Sequence, residues 1–180
     1  MAEYLYDTKI PKERIAVLIG KDGETKKQIE SALNVKLRID SNEGDVFLEG
    51  KDALGLYCAG EVVKAVGRGF NPDIALLLLK QDYILEIVNM AGYIKSKKSI
   101  IRLKGRVIGA EGRSRKIIEE FTETYISVYG KTIGIIGLSE KVAVARKAVE
   151  LLLNGSPHST VYKWLEKRRR DMKRKDLGIE

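Results

Sequence analysis

The spacing of apolar residues along the first part of the chain changes from helical to strand-like and back. Ile15, Leu18 and Ile19 recur at i, i+3 and i+4, which predicts an amphipathic helix, and Pro11 suits its first turn. Residues 35–39 alternate apolar and basic side chains, the spacing of a half-buried strand. These patterns predict the order strand 4–10, helix 12–19, helix 24–33, strand 35–39, strand 46–49 and helix 53–66, the last capped by Asp52.

The same order of elements recurs in the second half of the chain. Gly109 and Gly112 follow Gly20 and Gly23 at an offset of 89 residues, and each pair lies between two predicted helices. The chain is therefore an internal duplication, with copies long enough to fold independently. The second copy is predicted to contain strand 83–88, helix 98–108, helix 113–123, strand 125–129, strand 133–137 and a helix to 153 that Ser139 caps.

Two further helices lie outside the duplicated pattern. Asn71 and Pro72 are a good N-cap and first residue for a short connecting helix. Near the end of the chain, Val161, Trp164 and Leu165 recur at i, i+3 and i+4 and can anchor a final helix whose distal part is strongly basic. We therefore divide the chain into a first domain at 1–70, a connecting helix at 71–81, a second domain at 82–155 and a basic C-terminal helix at 156–180.

Charge is divided unevenly between the two copies. The chain of 180 residues has a net charge of +8. Residues 1–89 carry 12 Lys and Arg against 15 Asp and Glu, whereas residues 90–180 carry 21 against 10. Such a basic half indicates an anionic partner, and it places the main partner surface in the second copy.

Cysteine content and hydropathy indicate the compartment. Cys58 is the only cysteine, so an internal disulfide is excluded and a reducing, intracellular environment is expected. The N-terminal residues turn polar at once, unlike a secretory signal, and the longest apolar run, 74–79, is too short to cross a bilayer. We expect a cytoplasmic protein with no membrane association.

The paired glycines predict where an anion would bind. Glycine allows a sharp turn and a close approach of backbone to a ligand, and the amides at the following helix start point at anionic groups. Asp22 and Glu111 within these loops look adverse for phosphate. The predicted RNA-binding residues are Gly20, Lys21, Asp22, Gly23, Lys26, Lys27 and Arg38 in the first copy, and Arg106, Gly109, Ala110, Glu111, Gly112, Arg113, Ser114, Arg115 and Lys116 in the second.

The segment from Val17 to Gly23 resembles the signature of the KH (K-homology) domain, and the order of elements resembles its type I form. The resemblance implies an α+β fold: two tandem type I KH domains, each a three-stranded antiparallel sheet packed on three helices, plus the basic C-terminal helix. It also implies that about four nucleotides of single-stranded nucleic acid lie on each G-x-x-G loop. Bases would then cross a groove between the preceding helix and the following strand.

Three stretches of the second copy narrow the resemblance. Residues 102–115, 124–131 and 157–162 resemble the small-subunit ribosome-assembly KH proteins of archaea and eukaryotes, and the intact first loop is similar to archaeal members. This implies binding near the 3′ end of small-subunit rRNA and assistance to its maturation. The implied partners are a PIN-domain endonuclease and the α subunit of archaeal initiation factor two. A general RNA chaperone, an mRNA regulator and a protein-interaction scaffold with a vestigial loop remain alternatives.

An enzyme is poorly supported by the residue types present. His158 is the only histidine, and no nucleophilic or metal-binding constellation can be built around it, so a structural role is expected. Glu119 and Glu120 are adjacent on a helix and do not face each other across a substrate. A phosphate-binding P-loop would need a Gly-Lys-Ser/Thr ending that the chain lacks. We predict no catalytic residue, no metal and no cofactor.

Overall fold

The computed structural model describes residues 4–179, apart from the side chain of Lys97. It confirms the α+β fold with two KH domains and a C-terminal helix, and it divides into two compact units, Met1–Leu85 and Glu86–Glu180. The first unit therefore includes the segment 71–81 that the sequence suggested as a connection. Residues 1–3 and 180, which fall within the predicted domain bounds, lie outside the described residues.

The first unit has the strand and helix order that the apolar spacing predicts. Its sheet is antiparallel, with β3 between β1 and β2. A 3-10 turn, Lys21–Gly23, joins the first two helices, and a second, Leu76–Leu79, follows α4. Its elements are β1 (Tyr4–Lys9), α1 (Lys12–Ile19), α2 (Glu24–Leu33), β2 (Val35–Ile39), β3 (Asp45–Gly50), α3 (Ala53–Gly67) and α4 (Pro72–Ala75).

The second unit repeats the order of three strands and three helices, and its fourth helix again follows them. Its sheet order is β4-β6-β5, and a 3-10 turn, Ala110–Gly112, again joins the first two helices. Another 3-10 turn, Met90–Tyr93, follows the first strand. Its elements are β4 (Tyr83–Asn89), α5 (Lys97–Ile108), α6 (Arg113–Thr122), β5 (Tyr125–Tyr129), β6 (Thr132–Leu138), α7 (Ser139–Leu153) and α8 (His158–Asp176).

The register of β5 against β6 explains which side chains form the core of the second unit. Ile126 lies opposite Ile135 and Val128 opposite Ile133, so these four share one face of the sheet. All four belong to or pack against the buried cluster that also contains Ile118 of α6. Complete burial of one such side chain contributes about 1.5–3 kcal/mol. The alternating apolar residues of β5 therefore lie on the one face of the sheet that packs against the helices.

Helix α8 is part of this core. Val161 and Leu165 are buried in the cluster, and Trp164 packs against it half-buried, as the i, i+3, i+4 spacing predicts. The helix packs on α6 and α7. Its basic residues follow these anchors and are exposed. The helix is consequently held in place at its first half and presents charge along its second.

Of three N-cap residues predicted from the sequence, the structure confirms two and contradicts one. Asp52 caps α3 by accepting from the amides of Leu54 and Gly55, and Asn71 caps α4. The predicted cap at Ser139 is wrong: Ser139 is the first helical residue, and its hydroxyl makes no capping bond. Strand β6 runs through Leu138 directly into α7, so the cap position falls on Leu138.

Candidate nucleic-acid interface

The two G-x-x-G loops have nearly identical backbone conformations. Gly20 and Gly109 both have φ of 74°, with ψ of 175° and 174°. The acidic residue in each loop is left-handed, with φ of 52° at Asp22 and 53° at Glu111. The last glycine of each loop has φ of 74° and precedes the next helix. The duplication seen in the sequence is thus preserved in the shape of the loop.

The two glycines of the second loop are required for different reasons. A Cβ added to Gly109 would lie 2.7 Å from both the backbone N and the Cβ of Ser114. A Cβ added to Gly112 would meet nothing within 4 Å, so only its positive φ favours glycine there. In the first unit, a Cβ on Gly20 would lie 2.8 Å from the amide nitrogen of Thr25. The first glycine of each loop therefore allows α2 or α6 to start directly beneath it.

Backbone hydrogen bonds engage three amides in and beside the second loop. The Gly109 amide donates to Gly105 at 2.8 Å, the Gly112 amide to Gly109 at 3.2 Å, and the Arg113 amide to Ala110. The amides of Ala110 and Glu111 take no part in these bonds. Together with the N-terminus of α6, they form a site suited to a phosphate.

Exposed cations surround the second loop. Arg113 and Lys116 are exposed at the start of α6, whereas Arg115 is half-buried, with its Nε 3.8 Å from Glu119 Oε2. Exposed cations raise the local concentration of an anionic strand. Arg113 and Lys116 thus keep their charge available to a ligand, while that of Arg115 is partly directed into the protein.

Two of the three lysines in and beside the first loop also contact other groups of the protein. Lys21 is exposed within the loop. Lys27 donates from Nζ to the Asp22 carbonyl at 3.4 Å, and Lys26 lies 4.0 Å from the Glu30 carboxylate. That the main partner surface lies in the second copy stays a prediction, which the charge asymmetry between the two halves favours.

A glutamate in each unit joins the helix after the G-x-x-G loop to the edge strand that follows it. Glu119 of α6 accepts from the amide of Ile126 in edge strand β5 at 2.7 Å, and Glu30 of α2 accepts from Leu37 in β2 at 2.8 Å. Burial raises the pKa of the Glu119 carboxyl, opposed in part by the Ile126 amide. These bonds fix the spacing between that helix and that strand. The sequence offered Glu119 only as an unsuitable catalytic group.

Arg106 is bonded within the second unit. Its Nε donates to the Leu152 carbonyl at 2.9 Å and its Nη2 to Ser156 at 2.6 Å, which ties α5 to the end of α7. Arg14 of α1 does the same in the first unit, donating to the carbonyls at 66 and 70. The contact of Arg106 with RNA stays a prediction, since this side chain already donates to two carbonyls. Arg14 was missed because it lies three residues earlier in the repeat than Arg106.

The apolar residues on the helix before each loop and on the strand after it divide into core and surface. Leu18 and Val107 are completely buried, so they cannot reach a ligand. Ile108 and Val128 are half-buried and remain candidates for base contact in the second groove. Arg38 is exposed on β2, and its guanidinium lies 4.9 Å from the ring centroid of Phe47 on β3. It therefore already stacks on a protein ring.

His158 has the structural role expected for it. Its Nε2 lies 2.8 Å from the Arg106 carbonyl, which can only accept, so this nitrogen carries a proton. The bond holds the start of α8 against α5, next to the second loop.

Within residues 4–179, no three His, Cys, Asp or Glu side chains are grouped so that they could hold a metal ion. No described helix is both long and apolar enough to cross a membrane.

The fold, the paired loops and the groove define a tandem KH protein. Residues 6–64 match the KH domain family, and residues 84–170 match the family described as the eukaryotic type KH domain, type I. The chain is 51% identical over 170 residues to a KH domain-containing protein of Methanocaldococcus jannaschii, covering 92% of this chain and 74% of that protein. It belongs to the family of archaeal and eukaryotic KH proteins that includes Dim2 and PNO1.

Two further relatives carry functional names. The chain is 31% identical over 160 residues to RNA-binding protein pno-1 of Caenorhabditis briggsae, covering 85% of this chain and 58% of that protein. The Dim2p chain in the crystal structure of an a/eIF2α–aDim2p–rRNA complex from Pyrococcus horikoshii is 44% identical, with a TM-score of 0.89. That match covers 94% of this chain and 96% of the other.

Proposed function

We propose that this protein binds single-stranded RNA near the 3′ end of small-subunit rRNA during ribosome assembly and assists its 3′-end maturation. The backbone of the strand lies on the Gly109–Gly112 loop, with Arg113 and Lys116 attracting its phosphates. The first loop adds a second, weaker contact. The protein acts in the cytoplasm and is not itself catalytic. A partner protein cleaves the RNA.

The observation that carries this proposal is the second loop itself. It combines two amides that take no part in the loop's own hydrogen bonds, a helix N-terminus and exposed cations in the half of the chain that is net positive. A relative of this family forms a complex with rRNA, and others are RNA-binding proteins.

The proposal is tested by fluorescence anisotropy with labelled RNA. The probe is the 3′-terminal sequence of the organism's own small-subunit rRNA, compared with a scrambled RNA and with the same RNA annealed to its complement. We expect tighter binding to the unscrambled single strand, and a log–log salt slope of roughly −0.7 per phosphate contacted. Equal affinity for all three RNAs would exclude specific single-strand recognition.

We further propose two protein partners, the PIN-domain endonuclease and the α subunit of archaeal initiation factor two. Support for the second comes from the Pyrococcus complex, which contains a/eIF2α. Size-exclusion chromatography of each purified pair, with and without the RNA, tests them separately. Independent elution of either protein under both conditions removes it as a direct partner.

Crosslinking in cells distinguishes the proposal from its alternatives. One dominant rRNA 3′-end site supports the assembly role. Recovery of many transcripts instead indicates an RNA chaperone or mRNA regulator. Recovery of no RNA, with the partners still bound, indicates a scaffold whose loops are vestigial.

A further inference from the structure

A cavity adjoins the Gly109–Gly112 loop, and no residue of β5 lines it. It has a volume of about 400 Å³ and lies between α5, the loop, the start of α6 and the start of α8. The KH groove has β5 as its second wall, whereas this cavity has His158 and Tyr162 of α8. Its size falls within the range of about 300–1,000 Å³ typical of small-ligand sites. Helix α8 therefore creates a space that the three-helix KH core alone lacks.

The cavity wall contains a buried hydroxyl group with no partner. Ser114 is 1% exposed, and its Oγ has no hydrogen-bond partner anywhere in residues 4–179. Leaving a buried hydroxyl unpaired is unfavourable, and most buried polar groups are paired. A ligand oxygen in the cavity would supply the missing partner.

The remaining walls combine positive charge with aromatic rings. Arg102 and Arg113 are exposed and line the cavity. The rings of His158 and Tyr162 meet edge to face, with centroids 6.0 Å apart. Because His158 Nε2 is bonded to the Arg106 carbonyl, its Nδ1 is the free acceptor in the neutral ring. An anionic group and a flat, polar-edged ring are the ligand features that match these walls.

We propose that this cavity holds one nucleotide of the RNA strand immediately beyond the KH groove. The phosphate lies between Arg102 and Arg113 and accepts a hydrogen bond from Ser114 Oγ. The base lies against the rings of His158 and Tyr162. This rests on the proposed RNA-binding function and extends it, because the strand would turn around the loop and contact both of its sides.

The proposal is tested with labelled single-stranded RNA of about eight nucleotides, longer than the roughly four that a KH groove holds. Ser114→Ala removes only the unpartnered hydroxyl, so thermal stability should be unchanged or higher. Its RNA affinity should fall about two- to tenfold, the loss of one hydrogen bond. Tyr162→Leu keeps apolar bulk but removes the ring, and should lose about fivefold or more.

Two control variants separate this effect from general changes. Ser159→Ala alters an exposed serine on the same helix, and Lys51→Gln removes one exposed charge in the first unit. Neither should change affinity as much as the cavity variants. Wild-type affinity in both Ser114→Ala and Tyr162→Leu, with RNA binding intact, overturns the cavity proposal alone. Absence of RNA binding in the wild type overturns the proposed function and this inference together.

A direct contact supplies an independent measurement. RNA of the same length containing 4-thiouridine, irradiated in the complex, should crosslink to a peptide containing Tyr162 and be identified by mass spectrometry. Crosslinks confined to peptides of β5 would place the whole strand in the KH groove and contradict the proposal. If Ser114→Ala weakens binding of an acidic peptide and leaves RNA affinity unchanged, the cavity is a protein-docking site and the proposal is wrong.

Discussion

Alanine substitutions at the two glycines of the second loop should reduce stability by clearly different amounts. Gly109 has φ of 74° and ψ of 174°, a region that is essentially restricted to glycine and costs other residues about 1–3 kcal/mol. Its added Cβ would also lie 2.7 Å from the Ser114 amide nitrogen, and a backbone atom cannot rotate away. Overpacking of this kind costs about 1–3 kcal/mol more. We therefore expect Gly109→Ala to lose about 3 kcal/mol or more.

Gly112→Ala should be much less damaging. Gly112 is in the ordinary left-handed region, with ψ of 13°, and its Cβ would be in open space. That conformation costs a non-glycine residue about 1–2 kcal/mol. The matched pair in the first unit, Gly20→Ala and Gly23→Ala, should show the same ranking.

The assay for the second unit is urea unfolding followed by the fluorescence of Trp164. This is the only tryptophan in the chain, and it packs half-buried against the core of that unit. Circular dichroism follows the first-unit pair. Equal losses at Gly109 and Gly112, or a larger loss at Gly112, would refute the reasoning from the crowded and open Cβ positions.

Three other predictions concern the bonds that support the interface. Glu119→Ala should lower the free energy of unfolding in urea by about 1–3 kcal/mol, because it leaves the Ile126 amide without its acceptor. Glu119→Gln keeps an oxygen there and should lose less; equal losses for the two variants would contradict this. The bond from Lys141 lowers the pKa of Glu123, so this pair adds stability that is present above the unfolded pKa and is lost as pH falls through the folded value. Lys141→Ala should accordingly flatten the decline of thermal stability between about pH 5 and pH 3, and an unchanged decline would show that another group causes it. Arg106→Gln should destabilise the second unit by about 1–3 kcal/mol, since it removes a charged donor from two carbonyls. A variant that is as stable as the wild type but binds RNA more weakly would instead show that Arg106 contacts the RNA.

The duplication made most of the fold predictable. Helical and strand spacing recur in the same order at a nearly constant offset, so each copy supported the assignment of the other. The loops could be located for the same reason, and their matching φ and ψ values follow from glycines at matching positions. The start of α7 was misassigned because the repeat suggested a serine cap, while the structure continues β6 directly into the helix.

Contacts between distant parts of the chain could not be read from the sequence. Arg14 and Arg106 bond equivalent helix ends from positions three residues apart in the repeat, so no alignment of the two copies pairs them. Substitution of Asp at both Gly109 and Gly112 would place negative charge in the loop and could serve as a test of RNA binding. The crowded position beneath Gly109 makes only Gly112 suitable for that test, because the contact with Ser114 depends on how α6 starts.

The central claim, that the second loop holds the RNA backbone, is tested most directly by comparing Gly112→Asp with Gly112→Asn. The two side chains have nearly the same shape and both tolerate left-handed backbone, so their difference isolates a negative charge beside the bound phosphate. Measured by anisotropy on the 3′-terminal rRNA sequence, Gly112→Asp should bind at least about tenfold more weakly than Gly112→Asn, a difference of about 1.4 kcal/mol. Equal affinities for the two variants would contradict the account.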